Sequence, residues 1–294
     1  MTEPAPVCYR HPDRETYVRC VRCERPICPD CMRSAAVGFQ CPECVKEGSA
    51  SVRTPRAAYG GRARANPEVT FALLGLNGLF FLLTKGFALG PVGGGATSSL
   101  FDKLALVPCQ YPQGLYACSL GNGVGGGGYY RLLTSMFLHF GIVHLLLNMY
   151  CLFLVGPHLE RALGRLRFGA LYLLSGLSGS ALSYALGPRN EIAAGASGAV
   201  FGLFAAFYVL ERKRGYDVTQ ITATIGLNLV FSFAVPGIDW RGHVGGLIGG
   251  ALVTAGLVYA PEGKQRWVVQ ALGCACVALV VVGLVAARTA QLTA

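Results

Sequence analysis

The chain has 294 residues, 53% hydrophobic and only 14% charged, far from the composition of an average soluble domain. A formal charge of +10 would suggest a nucleic-acid partner if the Lys and Arg residues formed one stripe, but they fall mainly in the gaps between apolar runs. That placement fits loop charges that set topology, so a polytopic membrane protein is expected and nucleic acid is a poor candidate partner.

Seven of the 12 cysteines precede residue 45. With one histidine they form four pairs, each separated by two residues: Cys8 and His11, Cys20 and Cys23, Cys28 and Cys31, Cys41 and Cys44. That spacing lets a tight turn aim both side chains of a pair at one metal. Eight ligands suit two tetrahedral zinc ions, and four protein ligands each leave no open position for chemistry. Two pairings remain open on spacing: sequential, or interleaved with Cys8, His11, Cys28 and Cys31 on one ion and the other four on the second. The segment resembles a B-box-type zinc finger, whose cross-braced pattern implies the interleaved choice. Residues 1–46 are therefore expected to be a small zinc-binding domain held together by its metals. Its closed ligand set suits docking of a cytosolic protein partner. No apolar run in the first 30 residues makes a cleavable signal, which puts this end in the reducing cytosol.

Residues 47–67 shift to Gly, Ala, Ser and Arg and read as a basic, flexible linker. Beyond it, apolar runs that span a bilayer or nearly so cover residues 69–89, 142–159, 168–186, 197–210, 219–234, 242–259 and 267–287. The expected fold is all-α: a six-helix membrane core over residues 68–262 plus a seventh transmembrane helix in residues 263–294.

Arg161, Arg165 and Arg167, then Arg212, Lys213 and Arg214, then Lys264 and Arg266 occupy alternate loops, on the side of the linker arginines Arg53, Arg56, Arg62 and Arg64. The positive-inside rule makes that side cytoplasmic and the carboxyl terminus external. The first external connection, residues 90–130, contains the run Gly125–Gly128 and is too long to be structureless, so it is expected to fold on the outer leaflet. Cys109 and Cys118 within it admit a disulfide.

The fourth run, with Ser197 at its head, reaches only ~21 Å at the helical rise, short of the ~30 Å hydrocarbon core. Ser197 is thus expected below the outer surface, in a depression open to external water. His144 and Asn148 in the second run and His243 in the sixth are costly inside a bilayer and lie at a similar depth. His144 and Asn148, four apart, share a helical face and can donate toward one point, with helix-start N–H groups completing an oxyanion site. Alone, such polar residues can simply bond neighbouring helices. Gly198 and Gly202 make one small-residue face, and Gly242, Gly246 and Gly250 another; packing the two would bring Ser197 and His243 together. Imidazole can take the serine proton and so activate the nucleophile. No orienting acid is evident in the spans, and Asp239 reads as a surface charge.

Three stretches carry a family resemblance: Arg131-Leu132-Leu133-Thr134-Ser135-Met136-Phe137-Leu138-His139 with His144 to Asn148, Gly195-Ala196-Ser197-Gly198, and His243 with Gly246 and Gly250. Together they resemble the rhomboid intramembrane serine proteases over roughly residues 69–259. The resemblance implies Ser197 as nucleophile, His243 as base and then acid, and His144, Asn148 and the Ser197 backbone as oxyanion donors, with no cofactor for catalysis. It also implies substrates that are single-span membrane proteins with small and helix-breaking residues near the cut. Phe201 stands where many relatives have a tyrosine stacked on the histidine, and Tyr130-Arg131 where Trp-Arg is common. Stacking should survive the first change. The alternative, a non-catalytic relative that holds membrane clients, predicts loss of Ser197 or His243, and both are present.

Overall fold

The computed structural model describes residues 4–51, 57–61, 66–85, 98–109 and 123–293. The chain divides into two compact units, Met1–Pro55 and Arg56–Ala294.

In the first unit β1 (Val7–Cys8) pairs antiparallel with β2 (His11–Glu15), and β3 (Arg33–Ser34) with β4 (Phe39–Gln40). A 3-10 turn at Pro29–Cys31 and helix α1 (Pro42–Ser51) complete it. Its buried cluster consists of Ile27 and the cysteines themselves. Such short strands cannot bury enough apolar surface to offset the entropy of ordering the chain, so the cysteine clusters must supply the cohesion.

The second unit is a helix bundle: α2 (Glu68–Lys85), α3 (Ser99–Leu104), α4 (Arg131–Thr134), α5 (Ile142–Leu163), α6 (Arg165–Leu186), α7 (Ser197–Arg214), α8 (Thr219–Ala234), α9 (Trp240–Val258) and α10 (Arg266–Thr293). Each of the seven expected runs coincides with one long helix. The end of the first run, residues 86–89, lies outside the described residues.

Among the described residues, α5 and α10 are long and apolar enough to cross a membrane, while α2 and α8 are apolar but shorter. Helices α6, α7 and α9 pack mainly on one another, with glycine and serine at their closest approaches and Leu171, Tyr172, Leu203 and Val253 buried around them. The outside is apolar as well: Leu82, Leu83, Leu146, Leu147, Phe153, Leu227, Phe231, Leu279 and Val282 are all exposed.

The central contact is close enough to require glycine. A Cβ at Gly198 would lie 3.1 Å from the Gly242 carbonyl oxygen, and one at Gly246 would run into the Gly198 carbonyl. Gly245 and Gly249 form a second stripe on α9, turned toward Ser178 of α6; a Cβ at Gly245 would sit 2.6 Å from the Ser178 carbonyl oxygen. One glycine-rich helix therefore serves two neighbours with two faces.

Polar ties fix the helix ends. Buried Glu160 of α5 accepts from the Val69 N–H at 2.9 Å and from the N–H and hydroxyl of Thr70 at 2.8 Å each, capping α2. Asp239 is not an idle surface charge: its carboxylate accepts from the Gly242 N–H at 3.0 Å and caps α9. Helix α7 runs past the 14-residue apolar stretch to Arg214 and ends at Gly215, whose φ of +80° is the left-handed conformation of a helix stop. Lys213 then donates to the Val258 carbonyl at 2.6 Å, at the end of α9.

Parts of the expected linker, residues 47–67, are ordered. Helix α1 extends to Ser51, and Ala57 and Tyr59 are buried. Gln270 of α10 donates to the Tyr59 carbonyl at 3.0 Å and accepts from Arg167 at 2.8 Å.

The described parts of the long connection are folded. Ser98 caps α3, Arg131 donates to the carbonyls of Asp102 (2.7 Å) and Ala105 (2.8 Å), and Leu106 forms a two-way bridge with Ala193. Cys109 is disulfide-bonded. Cys118, suggested as its partner, lies outside the described residues, as do 110–122 generally.

Candidate active site

Ser197 is the first residue of α7, so its backbone N–H has no carbonyl partner within the helix. The turn before it is held on two sides. The Gly195 N–H donates to the Ser135 carbonyl at 3.0 Å, and Ala193 pairs with Leu106. Gly195 has φ +148°, and a Cβ there would meet His144 Cε1 at 2.8 Å and Nε2 at 2.9 Å, with Ser197 Oγ at 3.4 Å. Only glycine lets the His144 ring and the Ser197 hydroxyl share that spot.

Of the four residues singled out, His144 and Ser197 meet at Gly195. His139 packs edge-on against the His144 ring, centroids 5.0 Å apart. Asn148 is buried, but one amide hydrogen goes to the His144 carbonyl of its own helix at 2.9 Å, leaving one for another acceptor.

His243 lies in the first turn of α9, 9% exposed. The Phe201 ring, one turn after Ser197, stacks on it with centroids 4.3 Å apart and planes at 15°. Its Nδ1 hydrogen-bonds Ser232 Oγ of α8 at 2.7 Å, which leaves Nε2 for other chemistry. Among the described residues no hydrogen bond joins Ser197 Oγ to His243. Ser232 was not legible in the sequence, since no spacing rule links a serine on one helix to a histidine on the next.

The eight metal-ligand candidates gather in two groups: Cys8, His11, Cys28 and Cys31, and Cys20, Cys23, Cys41 and Cys44. This is the interleaved pairing. Within each group the ligand atoms all lie within 4.8 Å of one another. His11 Nδ1 is 3.3 Å from Cys28 Sγ and 3.4 Å from Cys31 Sγ, and Cys23 and Cys41 sulfurs are 3.8 Å apart. A tetrahedral ion with metal–sulfur bonds of about 2.3 Å needs edges of about 3.8 Å, so the residues fit a metal ion.

The thiols within each group diverge. Burial raises the Cys8 thiol, yet hydrogen bonds from the backbone at Arg10, Cys28 and His11 and from the His11 ring outweigh it and bring it to about 6. Burial, then neighbouring thiols, push Cys31 up to about 11 and Cys44 up to about 12. Arg25 donates to Cys23 Sγ at 3.3 Å and holds that thiol down. Crowded sulfurs that penalise one another's charge are what a divalent cation relieves.

A family model for the Rhomboid domain matches residues 126–260, from just before α4 to just past α9. "Putative rhomboid protease YdcA" of Bacillus subtilis is 39% identical over 137 residues, 45% of this chain and 69% of that protein. The chain belongs to the rhomboid family. The Rhomboid protease GluP of the same organism is 37% identical over 196 residues, which is 65% of this chain and 35% of GluP. RHOMBOID-like protein 4 of Arabidopsis thaliana is 37% identical over 157 residues, 51% of this chain and 39% of that protein. The chain thus spans well under half the length of these last two relatives. The rhomboid match includes Ser197, His243, His144 and Asn148, and excludes the metal-ligand module and α10.

Proposed function

We propose that this rhomboid protein is an intramembrane serine endopeptidase working through a Ser197–His243 dyad. The observation that carries the reading is the junction of α7 and α9. Glycines bring the helix starts together, Phe201 stacks on His243, and Nδ1 is engaged so that Nε2 remains to act on Ser197.

Ser197 Oγ attacks the scissile carbonyl carbon while His243 Nε2 accepts its proton. The oxyanion is stabilised by the Ser197 N–H, the His144 ring and the remaining Asn148 N–H. Collapse breaks the C–N bond, His243 returns its proton to the amine, and the acyl group stays on Ser197. His243 then takes a proton from water, which attacks the ester and releases the carboxylate. The amine product is a new amino terminus, and Ser197 regains its proton.

Single-span membrane proteins are the substrate class, entering from the bilayer toward a site below the outer surface. The amino terminus and the arginine-rich loops face the cytoplasm, and the carboxyl terminus faces outward. The two ligand groups hold zinc as structural ions, and the module docks a cytosolic protein. Incubating the purified chain with a fluorophosphonate tests the nucleophile: mass spectrometry should find the adduct on Ser197 and lose it in His243→Ala. An adduct on another residue contradicts the assignment.

A further inference from the structure

Ser232 is the single buried residue of α8. A polar, buried side chain on a helix otherwise exposed or half-exposed calls for a reason. Its hydroxyl makes two contacts: 2.6 Å to the Asn228 carbonyl one turn back, and 2.7 Å to His243 Nδ1.

A carbonyl oxygen can only accept, so the one hydroxyl proton of Ser232 goes to Asn228. Ser232 Oγ is then left as an acceptor, and His243 Nδ1 must be the donor. The chain of bonds runs from His243 Nδ1–H to Ser232 Oγ–H to the Asn228 carbonyl. It fixes the neutral imidazole as the Nδ1–H tautomer, with the lone pair on Nε2.

The nearby acid does not compete for this role. The carboxylate of Asp239 is engaged with the Gly242 N–H at the start of α9. The fold also makes the serine contact local: α8 ends at Ala234 and α9 begins at Trp240, so the last turn of one lies beside the first turn of the other. Phe201 packs on the face of the same ring. The imidazole is thereby held by a stack on its face and a hydrogen bond at its edge.

We infer that Ser232 is a positioning residue: its hydroxyl, anchored on the Asn228 carbonyl, sets the tautomer and orientation of His243 in the place of an acid. The inference rests on the proposed roles of Ser197 and His243.

The test compares the full chain with Ser232→Thr and Ser232→Val, which share a shape and differ in the hydroxyl. In protein labelled with 15N-histidine, His243 is assigned by its loss in His243→Asn. Wild type and Ser232→Thr should show Nδ1–H, whereas Ser232→Val should show a mixture containing Nε2–H. On a transmembrane reporter, Ser232→Val should lower kcat about tenfold with KM within about twofold, equivalent to about 1.4 kcal/mol in the transition state. Ser232→Thr should stay within about threefold of wild type. An unchanged tautomer in Ser232→Val overturns the inference, as does an altered tautomer with unchanged kcat. Equal loss in both variants also overturns it, because it marks a packing role. If wild type cuts nothing, the catalytic reading fails by itself, while the tautomer contrast still decides whether Ser232 sets the ring.

Discussion

Phe201 holds the face of the His243 ring without a hydroxyl, centroids 4.3 Å apart. Phe201→Ala should lower kcat/KM on a transmembrane reporter by about 3- to 10-fold, the worth of one aromatic pair, and Phe201→Tyr should stay within about twofold. Survival of that stack was expected from the family resemblance, because phenylalanine keeps the ring that the relatives' tyrosine lays on the histidine. The orientation of Asn148 could not be foreseen. Its spacing from His144 suggested two donors converging on one point, yet an amide in a helix can also bond the carbonyl four residues back, and one of its hydrogens does so. Asp239 was misread for a related reason: a short acid just before a helix is a cap, and the start of α9 was expected two residues later than Trp240.

Among elements, the glycine pattern of α9 separates backbone contact from propensity. Gly246→Ala drives a methyl into the Gly198 carbonyl and should cost about 1–3 kcal/mol, read as a lower unfolding midpoint in detergent. Gly226→Ala, on α8 with nothing near its missing Cβ, should be neutral or stabilising by up to about 1 kcal/mol. Equal effects at the two sites would mean that the contact does not control the packing. At the other end of the bundle, Glu160→Ala leaves the first N–H groups of α2 and the Thr70 hydroxyl without their buried acceptor. A loss of about 2–4 kcal/mol is expected, with faster hydrogen exchange confined to the start of α2.

The positions of the seven long helices were legible because apolar runs and charged gaps alternate clearly along the chain. The second glycine stripe, Gly245 and Gly249, was not. Two interleaved stripes on one helix look like mere glycine richness until a third helix is known to cross there. The bracing of the Ser197 turn by Leu106 and Ser135 was equally hidden, since it joins segments far apart in sequence.

At the scale of the whole chain, a unit whose buried core is Ile27 and cysteines is joined to a helix bundle with its own extensive core. Removal of metal by a chelator should release two zinc ions per chain and unfold residues 4–51, with the bundle's unfolding midpoint unchanged. Cys20→Ser should leave about one ion, because the interleaved pairing keeps Cys8, His11, Cys28 and Cys31 intact. Ion loss from both groups in step with bundle unfolding would contradict that independence. The proposed chemistry rests on Ser197 and His243 standing at the adjoining starts of α7 and α9. The direct measurement is cleavage of a single-span reporter by purified wild-type chain and by Ser197→Ala in the same detergent. Product is expected from wild type, with a loss of at least about 1,000-fold in the variant, the scale seen when a nucleophile is removed. Equal cleavage by both would contradict that chemistry.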